Sequence, residues 1–153
     1  MKIIEFKGLT VQGVRVRTCN ADEMQAATAR IGPLWADFGA QIAPLMTPPA
    51  QVFGVYHRYE SDAHGAFDVL AGAHALKPAA TDALALARVD IAAGRYLVFA
   101  AAGAMPQAVI DAWARIWRYF ADPHCPYQRA YTTDFERYTD EGLVEIFIAV
   151  AKP

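Results

Sequence analysis

The stretch whose reading decides the fold is residues 109–138, VIDAWARIWRYFADPHCPYQRAYTTDFERY. Val109, Ala112, Trp113, Ile116, Trp117 and Phe120 recur at three- and four-residue intervals, the apolar stripe of an amphipathic helix. Pro106 suits its first turn, where a missing N–H costs nothing, and Pro123 and Pro126 close it. The period then changes to alternation. Asp134-Phe135-Glu136-Arg137-Tyr138 reads as a strand with Asp134, Glu136 and Tyr138 on one face and Phe135 and Arg137 on the other. Within 129–139 and 143–151 the chain forms a hairpin turning at Asp140-Glu141-Gly142.

The same order occurs earlier in the chain. Leu34-Trp35-x-x-Phe38 matches Ile116-Trp117-x-x-Phe120, and Tyr56-His57-Arg58-Tyr59 matches Phe135-Glu136-Arg137-Tyr138, which makes an internal repeat. The first half begins with strand material, 2–6 and 9–18, interrupted at Gly8. Asn20, three residues before Glu23, reads as an N-cap. A helix follows on Met24, Ile31, Leu34, Trp35, Phe38 and Ile42, with a kink or break expected at Gly32-Pro33. Residues 51–60 and 66–76 are strands, and 77–83 links the halves. The second half opens with strand material at 84–91 and 95–102 around Gly94. The expected fold is α+β, a single domain over 1–153. Two strand–helix–strand–strand repeats, about 1–77 and 84–153, build a pseudo-twofold antiparallel sheet. Helices lie on one side, and a ligand groove runs between the halves.

Composition narrows the function. The chain has 153 residues, 55% of them hydrophobic and 20% charged, with a net charge of −2; this balance excludes a disordered chain. No basic cluster is present, so direct nucleic-acid binding is not expected. No apolar run approaches the ~18–20 residues of a membrane span. Met1-Lys2-Ile3-Ile4-Glu5 carries an acid where a signal peptide is apolar, so the expected location is cytoplasmic. Cys19 and Cys125 form neither a disulfide framework nor a zinc pattern. His57, His64, His74 and His124 do not cluster at ligand spacing, and no phosphate-binding glycine loop occurs. No metal and no cofactor are expected.

Glu136 is the residue that stands out, an acid inside an aromatic strand. If its face is concave, a carboxylate beside tyrosine rings is what an organic cation needs: the rings offer negative π faces and the acid offsets a buried charge. The alternative is a surface acid paired to Arg137 or a neighbouring strand. Glu145 on the final strand reads as a second acid at the site or as an edge-strand charge, the latter favoured. Trp35 and Trp117 hold equivalent repeat positions and read as core. Trp113 has Ile31 as its counterpart and is freer to line a pocket. Tyr56, Tyr59 and Tyr96 lie on strands whose register decides which of them face it. His57, equivalent to Glu136 in the repeat, faces either the same groove or the surface.

Val55-Tyr56-x-x-Tyr59-Glu60-Ser61-Asp62, Ile91-Ala92-Ala93-Gly94-Arg95-Tyr96-x-x-Phe99, Asp134-Phe135-Glu136-Arg137-Tyr138 and Val144-Glu145-Ile146-Phe147-Ile148 together resemble the GyrI-like small-molecule-binding family. That family includes effector-binding domains of AraC-type and MerR-type multidrug regulators and gyrase-inhibitor-like stand-alone proteins. The resemblance spans roughly residues 2–150 and implies the duplicated fold and a groove for bulky aromatic, often cationic, compounds. It places the ligand-reading acid at Glu136, with Tyr138 on the same face. The candidate ligand-binding set is Glu136, Tyr138, Trp113, Tyr96, Tyr56 and His57. Where the family usually has Ile-Pro-x-Gly, this chain reads Ile91-Ala92-Ala93-Gly94. No helix-turn-helix segment accompanies the domain, so the expectation is a stand-alone binder of amphipathic aromatic cations. Two other functions use the same surface: a hydrolase of reactive toxins with Glu136 and Tyr138 as its catalytic pair, and a module that binds a protein partner such as gyrase.

Overall fold

A computed structural model describes residues 1–78, 85–139 and 141–152. The linker reading at 77–83 and Asp140 of the hairpin turn fall wholly or mostly outside them. Eight strands make one antiparallel sheet: β1 (Lys2–Phe6), β2 (Leu9–Thr18), β3 (Val52–His57), β4 (Phe67–Ala73), β5 (Ala87–Ile91), β6 (Gly94–Ala102), β7 (Thr133–Tyr138) and β8 (Leu143–Ala149). Among the described residues the named helices are α1 (Asn20–Glu23), α2 (Ile31–Gln41) and α3 (Gln107–Ala121), with a 3-10 turn at Ala43–Leu45.

The strand order is β1-β6-β8-β7-β3-β4-β2-β5. Exchanging each strand for its counterpart in the other half returns the same order reversed, so a pseudo-twofold axis passes through the β3–β7 seam. At Gly8 and Gly94 the chain turns a corner from one strand to the next. After Gly8 the chain leaves its pairing with β6 to join β4 and β5. Gly8 has φ +92° and Gly94 φ +148°, conformations that glycine adopts without a Cβ penalty. Each half therefore contributes two strands before its helix.

The sheet curls into a half-barrel. Its inner face buries Val11, Phe53, Val55, Leu70, Tyr96, Val98, Phe135 and Phe147, with the Phe135 and Phe147 rings stacked 4.3 Å apart. On the outer face α2 lays its Leu34 and Phe38 against Val69 and Ala71 of β4. The helix α3 lays its Ile116 against Leu97, Phe99, Ile146 and Ile148. Both helices thus lie on one side, and each shields its own half of the sheet: α2 packs on β2 and β4, and α3 on β6. The seam strands β3 and β7 run between them.

Two local expectations change. The helical break falls at residues 24–30, before Gly32-Pro33, because Pro33 lies in the first turn of α2, where it displaces no hydrogen bond. Asn20 is not a cap: Cys19 precedes α1 without a side-chain bond, and the Asn20 amide donates to the Ala63 carbonyl. Glu23 instead accepts the backbone N–H groups of Arg30 and Ile31 at 2.9 and 3.0 Å. Its carboxylate therefore caps α2, where orphan donors and the helix dipole favour an anion.

Candidate functional site

In the seam, Gly54 pairs with Glu136 and Tyr56 with Asp134. Gly54, Tyr56, Asp134, Glu136 and Tyr138 therefore share the helix-side face, as strand alternation requires. Glu136 lies at the centre and is only 1% exposed. Its Oε2 accepts the Trp113 indole N–H at 2.7 Å and the Tyr56 hydroxyl at 2.9 Å. Its Oε1 accepts the Tyr138 hydroxyl at 2.9 Å. Trp113 reaches in from α3, and its ring lies 4.9 Å from that of Tyr56. Trp35 reaches in from α2 and meets Tyr138 edge-on at 5.3 Å. Two helices and two strands thus deliver four aromatic side chains around one carboxylate.

The electrostatics follow from burial. Desolvation pushes the Glu136 carboxyl upward, and its three donors pull it partly back. Burial, followed by the Glu136 charge, raises the Tyr56 and Tyr138 phenols well above their ordinary range. Both tyrosines consequently remain protonated donors. Among the described residues Glu136 makes no ion pair.

Asp134, on the same face, is different. It is fully buried and accepts from Arg129 at 2.7 Å, Tyr59 at 2.5 Å and the Ala149 amide at 2.9 Å. Arg129 in turn lies 4.4 Å from the centre of the Tyr131 ring. A carboxylate, an aromatic cage and a cation are all present there, the cation being part of the chain. Two neighbouring acids on one face therefore differ in one respect: Asp134 holds a guanidinium, and Glu136 holds neutral donors alone.

Of the six residues singled out from sequence, Glu136, Tyr138, Trp113 and Tyr56 come together. Tyr96 and His57 do not. Tyr96 points into the half-barrel, 1% exposed, donating to the Ala92 carbonyl at 2.6 Å and meeting the Thr133 hydroxyl at 2.8 Å. His57 lies three residues along β3 from Gly54, an odd number, so it faces the interior too. The repeat alignment that equated it with Glu136 is out of step by an odd number of residues, and an odd offset reverses the face. Glu145 is no edge charge, since β8 lies inside the sheet between β6 and β7. It pairs with Arg137 at 2.7 Å on the inner face. Trp117, read as core, is 43% exposed. Trp35 and Gly54 were missed as site residues. A Trp on a helix that flanks the seam, and a glycine inside a strand, were the available signals for them.

Residues 2–150 match the Cass2 family, described as integron-associated effector binding proteins. The chain belongs to that family. A Cass2 integron cassette protein from the mobile metagenome of Vibrio cholerae is 47% identical, with a TM-score of 0.90 over 98% of this chain and 95% of that one. Two more distant structures share the fold. SAV2435, solved bound to tetraphenylphosphonium, is 19% identical with a TM-score of 0.74, covering 98% of this chain and 93% of that one. The EcmrR C-terminal domain is 17% identical with a TM-score of 0.56, covering 99% and 97%. No curated protein matches significantly. The α+β half-barrel is thus a fold shared with SAV2435 and the EcmrR C-terminal domain, and this Cass2 chain is of the effector-binding kind. Among its described residues no helix is long and apolar enough to cross a membrane.

Proposed function

We propose that this protein binds amphipathic aromatic cations in the groove between α2 and α3, with Glu136 reading the charge. The observation that carries the proposal is the contrast within the seam: a buried carboxylate ringed by Trp35, Tyr56, Trp113 and Tyr138 that lacks the cation its neighbour Asp134 already has. The Trp113 indole N–H and the two phenols partly satisfy Glu136 while no ligand is bound. An arriving cation displaces a ring from the carboxylate and takes the rings' π faces in exchange. The likeness to SAV2435, a protein of the same fold bound to tetraphenylphosphonium, makes that ion the natural probe.

Charges about 5 Å apart attract by about 3 kcal/mol at an effective dielectric of about 20. A glutamine dipole retains part of that attraction. Glu136→Gln is therefore expected to weaken tetraphenylphosphonium binding about 30- to 150-fold. Binding is read by quenching of tryptophan fluorescence, to which Trp113 contributes from within the site. The neutral triphenylphosphine oxide should lose almost nothing. Equal affinity of wild type and variant for the cation would remove the proposal.

A further inference from the structure

The inner face of the half-barrel ends in a polar row that the groove does not use. Thr133, His57, Asp68 and Arg17 are direct cross-strand partners on β7, β3, β4 and β2, so all four point to the same side. Asp68, 2% exposed, receives Arg17 at 3.0 Å and Arg58 at 2.9 Å, and Arg15 lies 3.7 Å away. Arg58, at the end of β3, has φ +50°, an uncommon conformation for a residue with a side chain. It is held by Arg17, whose guanidinium also donates to the Arg58 carbonyl at 3.0 Å. Arg30 donates to the Arg17 carbonyl. A chain of net charge −2 thus gathers three guanidiniums about a single carboxylate and brings a fourth close by.

One carboxylate does not balance three guanidiniums. The side chains of Arg15, Arg17 and Arg58 are 37%, 42% and 64% exposed, so their remaining N–H donors face solvent. His57 beside them is 95% buried, and among the described residues its Nε2 has no hydrogen-bond partner. Burial holds the imidazole pKa down; Asp68 raises it, and Arg15, Arg58 and Arg17 lower it further. The geometry points to a second binding site here, for a small multivalent oxyanion of phosphate or carboxylate type. Asp68 splays the guanidiniums, their free edges take the anion bidentately, and His57 gains a proton from solvent as the added negative charge offsets the arginines.

The test uses the full chain with inorganic phosphate and with succinate, each against sodium chloride of equal ionic strength. Melting temperature and the His57 ring signals in NMR are the readouts. The expected result is a saturable rise in melting temperature with at least one of the two anions, together with an upward shift of the His57 titration. Arg58→Gln and Arg15→Gln, both solvent-facing side chains, should each weaken that binding at least about fivefold while tetraphenylphosphonium affinity stays unchanged. Stabilisation no greater than that from chloride, or anion binding indifferent to both substitutions, overturns the inference.

Discussion

Gly54→Ala tests how tightly the seam is built around Glu136. A Cβ at residue 54 would stand 2.8 Å from Glu136 Oε1 and 3.0 Å from Trp35 Cζ2, against 3.4 Å for ordinary contact. The carboxylate must therefore retreat by the difference, 3.4 − 2.8 = 0.6 Å. A retreat directed away from the Tyr138 hydroxyl, 2.9 Å from the same oxygen, stretches that bond to about 3.5 Å, the limit of a real hydrogen bond. Losing a bond to a charged acceptor costs about 1.5–3 kcal/mol, while replacing glycine in a strand returns about 0.5–1 kcal/mol. The net expectation is a destabilisation of about 1–2 kcal/mol, read by urea unfolding. Tetraphenylphosphonium affinity should fall about 5- to 30-fold, because the displaced acid no longer sits beneath the ring cage. A variant at least as stable as wild type, with affinity within about twofold, would refute the account of the seam.

Other expectations follow from the buried polar groups. Because burial raises the Glu136 carboxyl, the native state keeps a proton that the unfolded chain has released. Wild type therefore loses stability relative to Glu136→Gln as pH climbs from the ordinary carboxylate range through the raised value. The melting temperature of wild type minus that of the variant should fall over that interval and then level off; a constant difference would contradict the shift. Arg129→Met strips Asp134 of its cation inside the protein and should cost about 3–5 kcal/mol by chemical denaturation. Tyr96→Phe gives up two inner-face contacts for about 1 kcal/mol and should leave cation affinity untouched, since its ring lies on the other side of the sheet.

Much of this was legible because it is local. The helix stripe of 109–120, the alternation of 134–138 and the repeat of both patterns depend on residues close in sequence, and periodicity reports them directly. Glu136 could be singled out for the same reason, as an acid among aromatics on a strand. Its partners could not all be. Trp113 and Tyr138 were within reach of spacing arguments, but the approach of Trp35 and the need for glycine at residue 54 arise only when β3 meets β7 in register.

Pairing decided the rest. Repeat matching alone equated His57 with Glu136, yet an odd offset sends a side chain through the sheet, and only the seam pairing Gly54 with Glu136 reveals the parity. The face of Tyr96 likewise waited on a strand register that only pairing supplies. Pairing also decided which acids are already neutralised. Asp134 and Glu136 look alike in sequence, but Arg129 reaches only the first. The sequence by itself determined the elements, their duplication and the acid worth watching, since these follow from short-range pattern. The tertiary structure decided which face each residue serves and which charges stay unpaired, since both depend on strands brought together from opposite halves of the chain.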